Sequence, residues 1–101
     1  MNIIEYVIPL GENVRKRHYH EIDKGSIIKF AVQLEVFFED QWRVVIRYDT
    51  AHGYAHIDRY YINGKKIKKE FSLNFNEALI IADEDIKENW RIYKKDFLEG
   101  Q

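Results

Sequence analysis

The chain contains no cysteine and a single proline among its 101 residues. The absence of cysteine excludes disulfides, thiolate nucleophiles and cysteine-based zinc sites. The sequence also lacks any run of about 18 apolar residues, which argues against a membrane-spanning segment. The first ten residues, MNIIEYVIPL, have neither the basic start nor the small-residue cleavage site of a signal peptide. We therefore expect a cytoplasmic protein that does not enter a membrane.

Neither sign of charge dominates, since 17 acidic residues stand against 16 lysines and arginines. This balance argues against a protein whose overall electric field attracts nucleic acid, although it leaves room for a local basic patch. A length of 101 residues is that of one ordinary domain, and 46% hydrophobic residues are enough for one packed core. The sequence therefore predicts a single domain over residues 1–101.

Alternating polar and apolar residues in the middle of the chain predict two strands. In the segment IIKFAVQLEVFFED, every second residue from Ile28 to Phe38 is apolar, which is the period of a strand with one buried face. The segment WRVVIRYDT also alternates. Its apolar side is predicted to hold Val44, Ile46 and Tyr48, and its polar side Arg43, Arg47 and Asp49. A tight turn at residues 39–41 is expected to join the two strands into an antiparallel hairpin.

Four further segments complete the predicted sheet. YAHIDRYYI and KIKKEF follow the hairpin, and the Asn63-Gly64 pair between them is typical of a type I′ turn. IIEYVIPL and VRKRHYHEI precede the hairpin. Pro9 cannot donate a backbone hydrogen bond, so the first of these segments is expected at an edge of the sheet.

The last quarter of the chain changes from a period of two to helical spacing. Apolar residues recur there every three or four positions, at Phe75, Leu79, Ala82, Ile86, Trp90, Tyr93 and Phe97. Asn74 is a natural N-cap, with Glu77 at the capping-box position, and Gly100 is a natural end. We expect the acidic run 83–85 to point to solvent. The predicted fold class is α+β, with an antiparallel sheet of four to six strands packed under one long C-terminal helix.

The third predicted strand places a group of polar residues on one face. Three of its residues are expected to face the helix: Ala55, Ile57 and Tyr61. His56, Asp58 and Tyr60 then project from the opposite, outer face of the sheet. They share that face with the polar side of the preceding strand, including Arg47 and Asp49. Facing side chains of neighbouring strands lie about 5 Å apart, so the sequence predicts a polar cluster here.

This cluster supports two kinds of chemistry. Neutral imidazoles together with Asp49 or Asp58 could form a metal site of two histidines and one carboxylate. Alternatively, His52 and His56 could act as base and acid in a metal-independent cleavage of RNA, while Arg47 holds the phosphate. A second histidine pair, at positions 18 and 20, shares one face of an earlier strand and could belong to either kind of site.

We favour the RNA-cleaving interpretation, which needs no metal or other cofactor. In it, Asp58 orients a histidine, and Asp49 contributes to the binding of the substrate. Arg59 binds phosphate, and Tyr54 and Tyr60 stack on bases or form hydrogen bonds to phosphate.

A non-catalytic interpretation uses the same outer face. Exposed pairs of aspartate and arginine are common on sheets and contribute little free energy. The face would then dock another protein, as expected of an interaction module such as an antitoxin, a phage-encoded inhibitor or a small subunit. The edge strand and the long helix also offer surfaces through which a homodimer could form.

The segment IRYDTAHGYAHIDRYY resembles a motif of small prokaryotic proteins with an R-Y-D-x-x-H-G-x-x-H-x-D core. The matching residues are Arg47, Tyr48, Asp49, His52, Gly53, His56 and Asp58. The segment is also distantly similar to the TumE-type toxins of toxin–antitoxin systems. This resemblance implies a small growth-inhibiting protein that acts on RNA and is held by a cognate antitoxin.

Overall fold

Each segment with a period of two forms a strand, and the segment with helical spacing forms the one helix among the described residues. The computed structural model describes residues 1–71 and 73–100. Its elements are β1 (Asn2–Gly11), β2 (Val14–Asp23), β3 (Ser26–Phe38), β4 (Gln41–Asp49), β5 (His56–Tyr60), β6 (Lys66–Glu70) and α1 (Phe75–Glu99). The strands pair in sequence order and antiparallel throughout, as six strands of one sheet. The predicted α+β fold, with its antiparallel sheet and C-terminal helix, is confirmed.

The core lies between α1 and the middle of the sheet. The β3 residues that face it are Phe30, Val32, Leu34 and Val36, all fully buried. The helix contributes Ala78, Ala82 and Ile86, which are also fully buried. Each large apolar side chain removed from water in this way contributes about 1.5–3 kcal/mol. Ile28 lies outside the core, because the pairing of β2 with β3 shifts there and Ile28 is the unpaired residue of the bulge.

A second bulge, at Val45, changes the faces of β4. Leu34 pairs with Ile46, whereas the next residue of β3 pairs with Val44, so Val45 is the extra residue. Arg43 is therefore opposite Val36, on the face that carries the core. The expectation that Val44 lies on the apolar side and Arg43 on the outer face is wrong, because an inserted residue reverses the alternation beyond it.

Both turns predicted between these strands are present, but the second has a different backbone conformation from the one that its sequence indicates. Glu39 and Asp40 both have positive φ, at 50° and 63°, and form the tight turn predicted between β3 and β4. At the Asn-Gly pair, the Gly64 amide donates to the carbonyl of Tyr61, 3.0 Å away. Of the two residues of the pair, only Gly64 has positive φ (89°), so the predicted type I′ turn is wrong. The loop is one residue longer and ends with glycine in the left-handed region.

The helix ends are those predicted. The Asn74 side chain accepts a hydrogen bond from the Glu77 amide at 2.9 Å, and Gly100 closes the helix with φ 75°. No helix within the described residues is both long and apolar enough to span a bilayer.

Two acids of the run 83–85 do not point freely to solvent, contrary to expectation. Asp83 forms an ion pair with Lys16 of β2. Asp85 accepts hydrogen bonds from the hydroxyls of Tyr48, at 2.5 Å, and Tyr93, at 2.7 Å. Burial and the bond to Asp85 raise the pKa of both phenols, which therefore remain donors. These contacts attach the helix to the sheet through polar groups as well as through the core.

Candidate functional site

The cluster predicted on the outer face is present. Asp49 of β4 pairs with His56 of β5, and Arg47 pairs with Asp58. Residues opposite one another in a sheet project from the same face, so the four side chains lie together. Three of them are almost inaccessible, with exposed fractions of 2% for His56, 5% for Asp58 and 6% for Asp49. We call Asp49, His56 and Asp58 the outer triad.

His56 is at the centre of the outer triad. Its Nε2 lies 2.6 Å from Oδ1 of Asp49 and 3.8 Å from Oδ2 of Asp58. Its Nδ1 lies 3.4 Å from the carbonyl oxygen of Tyr54. The ring of His52 stacks on it with the centroids 5.5 Å apart. Both nitrogens of His56 therefore face oxygen acceptors, and its ring is sandwiched between the sheet and the loop that joins β4 to β5.

Asp49 occupies the last position of β4 and is fixed from three sides. Besides His56, it accepts a hydrogen bond from Nε of Arg47 at 2.5 Å and one from the backbone amide of Ala51 at 3.2 Å. Arg47 in turn donates to the Gln33 side chain at 2.9 Å. A carboxylate held by an imidazole, a guanidinium and a backbone amide has one orientation, which is what a catalytic or ligand-binding group requires.

Asp58 is less well satisfied. Its Oδ1 is buried and has no hydrogen-bond partner among the residues that the structure describes. The nearest cation to its other oxygen is the half-exposed Lys66, whose Nζ is 4.0 Å away. A buried carboxylate oxygen without a partner loses its hydration and gains no hydrogen bond in return.

The polar network continues along the face to residues that the sequence analysis did not assign to a site. Glu35 accepts from Nε of Arg15 at 2.5 Å and from Nε of Arg17 at 3.2 Å, and it also accepts from Gln33. Burial alone would raise the pKa of Glu35, but these hydrogen bonds and charges outweigh it and the pKa is lowered. The sequence could have indicated this part of the network, because Gln33 and Glu35 alternate along β3 with the apolar residues of the core.

A concave depression of about 290 Å³ lies next to the outer triad. Its charged lining residues are Arg17, Lys29, Arg47 and Asp49, and the ring of Tyr19 also lines it. Three of these side chains are cationic, so we call it the basic depression. Asp49 is the one member of the outer triad that lines it, and it thereby connects the triad to an accessible surface with three cationic side chains, two of which are paired with carboxylates.

The other residues predicted for the site are distributed differently. His52 and Tyr54 are exposed in the loop, and the Tyr54 ring lies 5.6 Å from that of His56. Tyr60 follows Asp58 on the same face of β5, and the Lys66 ammonium lies 5.3 Å from its ring centre. Arg59 projects from the opposite face, where it contacts Asp96 of α1 at 3.3 Å. The structure therefore does not bring Arg59 to the outer triad.

A second histidine cluster lies on the helix side of the sheet. His18 and His20 share a face, as expected, and their Nδ1 and Nε2 atoms are 3.0 Å apart. Tyr6 stacks on His18 at 4.4 Å, and Asp83 lies 3.4 Å from its Nε2. Burial, followed by the charge of Lys16, lowers the pKa of His18 to about 4. We call these five residues the helix-side cluster, and they are separated from the outer triad by the sheet.

Comparison with other proteins identifies the family of the chain. No curated protein and no solved structure matches it significantly. The whole sequence, residues 1–101, matches the family described as a domain of unknown function, DUF7718. The match spans every strand and the helix, and therefore both faces of the sheet. The chain belongs to the DUF7718 family.

Proposed function

We propose that the protein is a toxin-like cytoplasmic ribonuclease that cleaves RNA without a metal ion at the outer face of its sheet. The observation that carries this proposal is the position of Asp49. This carboxylate bonds to a buried histidine and an arginine, and it also lines a depression whose other charged groups are cationic. A proton-carrying group beside a phosphate-binding surface is what phosphodiester cleavage requires.

The basic depression suits a phosphate group. Arg47 and Arg17 provide planar guanidinium groups and Lys29 a point charge, on three neighbouring strands. Tyr19, in the same lining, and exposed Tyr54, beside the triad, offer rings on which bases can stack. Single-stranded RNA supplies both a backbone and unstacked bases, and it therefore uses all of these groups.

The chemistry assigned to the site is a transfer within the RNA. A base takes the proton of the 2′-hydroxyl, the 2′-oxygen attacks phosphorus, and the bond from phosphorus to the 5′-oxygen breaks. An acid returns a proton to that oxygen, which leaves a 2′,3′-cyclic phosphate and a 5′-hydroxyl. His52 and His56 are the base and acid in this proposal, and Asp49 and Asp58 orient His56. Arg47 stabilises the negative charge that develops on phosphorus.

The resemblance to TumE-type toxins supports the same proposal and adds a cognate antitoxin as partner. A second candidate function, a non-catalytic interaction module, is favoured by β1. This edge strand exposes five large apolar side chains, Ile3, Ile4, Tyr6, Val7 and Ile8. An unpaired apolar edge can accept a strand from another protein or from a second copy.

The test is an RNA cleavage assay in the presence of a chelator, combined with growth of a sensitive host that expresses the protein. We expect wild type to cleave RNA and slow growth, and His56→Ala to lose about 100-fold or more of the cleavage rate. His20→Ala is the matched control, because it removes a histidine of the helix-side cluster and should retain activity. Intact RNA with wild type and with His56→Ala alike would remove the ribonuclease and leave the interaction module.

A further inference from the structure

The geometry points to a binding site for one divalent first-row transition-metal ion, Mn²⁺ or Zn²⁺, formed by Asp49, His56 and Asp58. This site goes beyond the proposed function, because cation binding can be measured without RNA. It rests on the distances within the outer triad, on an unsatisfied carboxylate oxygen and on the groups that orient the ligands.

The ligand atoms are already close enough to share an ion. One nitrogen or oxygen from each residue can be chosen so that all three lie within 4.8 Å of one another. Nε2 of His56 is the central atom, at 2.6 Å and 3.8 Å from oxygens of the two aspartates. Ligands bound at about 2.1 Å to one octahedral ion are about 3–4 Å apart, so small side-chain movements suffice.

Asp58 provides an independent reason for a cation. Its side chain is directed into the outer triad, it is only 5% exposed, and its Oδ1 has no hydrogen-bond partner within the described part of the chain. Two buried carboxylates beside one imidazole also place negative charge where water cannot screen it. A divalent cation would supply the missing partner for Oδ1 and neutralise that charge together.

The surrounding groups have the arrangement found around metal ligands. A histidine that binds through Nε2 usually donates its Nδ1–H to a carbonyl or carboxylate, which fixes the tautomer and the ring. Nδ1 of His56 faces the Tyr54 carbonyl at 3.4 Å. The second oxygen of Asp49 is held by Arg47 at 2.5 Å, which leaves its first oxygen directed at His56.

The donor set indicates the class of ion. Imidazole suits zinc and other transition metals, whereas two carboxylates suit harder ions such as Mn²⁺. The helix-side cluster also contains two histidines and an aspartate, but the buried ammonium of Lys16 is paired with that aspartate and would repel a metal ion. It therefore serves as the matched control region.

The cation site has a consequence for the proposed ribonuclease. An ion bound to Nε2 prevents His56 from exchanging a proton through that atom, so saturation with the ion should inhibit cleavage that needs no metal. Binding and inhibition are measured separately, and the failure of one proposal is therefore distinguishable from the failure of the other.

The experiment titrates chelator-treated, desalted protein with Mn²⁺ and follows the electron paramagnetic resonance signal of the free ion. We expect wild type to remove one ion per chain from solution. Asp58→Asn should weaken binding at least about tenfold, since ligand and ligand-orienting groups contribute on that scale. Asp83→Asn, which removes the aspartate of the helix-side cluster, should bind as wild type does. Circular dichroism of each variant confirms that it is folded.

A second measurement locates the ion in the wild-type protein and does not depend on any variant. Bound Mn²⁺ should broaden the amide NMR signals of residues 49–58 most strongly and those of β1, three strands away from β4, much less. No loss of the free-ion signal with wild type, equal affinity in Asp58→Asn, or broadening centred on His18 would each overturn the cation site. A rise in RNA cleavage with saturating Mn²⁺ supports the site and overturns the metal-independent mechanism.

Discussion

The outer triad and the helix-side cluster use similar residues on opposite faces of one sheet and reach opposite electrostatic outcomes. In the helix-side cluster, a buried lysine accompanies two histidines, and one half-exposed aspartate serves both Lys16 and His18. In the outer triad, two buried carboxylates flank a single histidine, and Arg47 bonds to Asp49 alone of the two. Each region contains one buried atom without a hydrogen-bond partner among the described residues. In the first region this atom is Nε2 of His18, in a ring whose lowered pKa keeps it neutral, whereas in the second it is a carboxylate oxygen of Asp58.

This difference separates a structural role from a functional one. The helix-side contacts join β2 to α1 and hold His18 neutral at physiological pH, so they stabilise the fold. The outer contacts join neighbouring strands that the backbone ladder already pairs, and they leave Asp58 poorly solvated. Proteins tolerate such buried, unsatisfied groups mainly where they bind or react. This assignment of roles can be tested by substitutions in the helix-side cluster and in the outer triad.

The largest effect is expected from the protonation of His18 at acid pH. Its pKa is about 4 in the folded protein, against 6.5 for an unperturbed histidine. Between these values the unfolded chain binds a proton that the folded chain does not, so stability is complete above pH 6.5 and falls as the pH decreases towards 4. We expect His18 to account for a loss of about 2–3 kcal/mol across that window, measured by urea denaturation at each pH.

The matched variant for this prediction is His18→Gln, which cannot titrate. Its free energy of unfolding should change less with pH between 6.5 and about 4.5 than that of wild type. Glu35 and Asp83, whose carboxyl pKa values are lowered, are present in both proteins, so their own contributions to the pH dependence cancel in the comparison. Identical slopes for the two proteins would show that His18 has the same pKa in the folded and unfolded states, and that the helix-side cluster does not keep it neutral.

A smaller effect is expected from the ion pair between Lys16 and Asp83. Lys16 is 3% exposed, so Asp83→Asn leaves a buried ammonium without its carboxylate. Breaking a fully buried pair costs about 3–5 kcal/mol, but Asp83 is 44% exposed and water can compensate in part. We expect a loss of about 1–2 kcal/mol, measured by urea denaturation at pH 7.

The variant Lys16→Met separates the contribution of the Lys16 charge to stability from the contribution of its packing. It replaces the buried ammonium with an apolar side chain of similar length, and substitutions of this kind are often neutral or stabilising. We therefore expect Lys16→Met to be at least as stable as Asp83→Asn, and the double variant to recover most of the loss. A large loss in Lys16→Met that Asp83→Asn does not share would assign the role of Lys16 to contacts other than the ion pair.

Much of this architecture follows from local patterns. The alternation in β3, the spacing in α1 and the Asn74 and Gly100 ends each depend on residues close in sequence, and each was predicted. The bulge at Val45 was not, because nothing in the consecutive valines indicates which one is extra. The partners of Asp83 were also missed, since Lys16 lies 67 residues away and helical spacing carries no information about contacts that distant.

The candidate site was predictable to a similar extent. The parity of β5 correctly placed His56 and Asp58 opposite the helix, and antiparallel pairing brought Asp49 to them. The same parity places Arg59 on the helix side, so its assignment to the site on the basis of sequence proximity was not consistent with a strand. The depth of burial of the outer triad could not be predicted, because it depends on how the loop from Thr50 to Ala55 folds over the sheet.

The smallest effect, of opposite sign, is expected from Asp58→Asn. In the absence of a metal ion this substitution removes a buried charge near Asp49, and the nearest cation is a half-exposed lysine 4.0 Å away. An amide also offers N–H donors to neighbouring carboxylates. We expect a gain of about 0.5–1 kcal/mol in the free energy of unfolding at pH 7 with a chelator present, since relief of strain at functional sites commonly stabilises proteins.

The decisive comparison is the sign: neutralising one aspartate on each face should stabilise the outer triad and destabilise the helix-side cluster. A loss of stability of about 1–2 kcal/mol in Asp58→Asn, equal to that of Asp83→Asn, would mean that Asp58 is a structural ion-pair partner like Asp83.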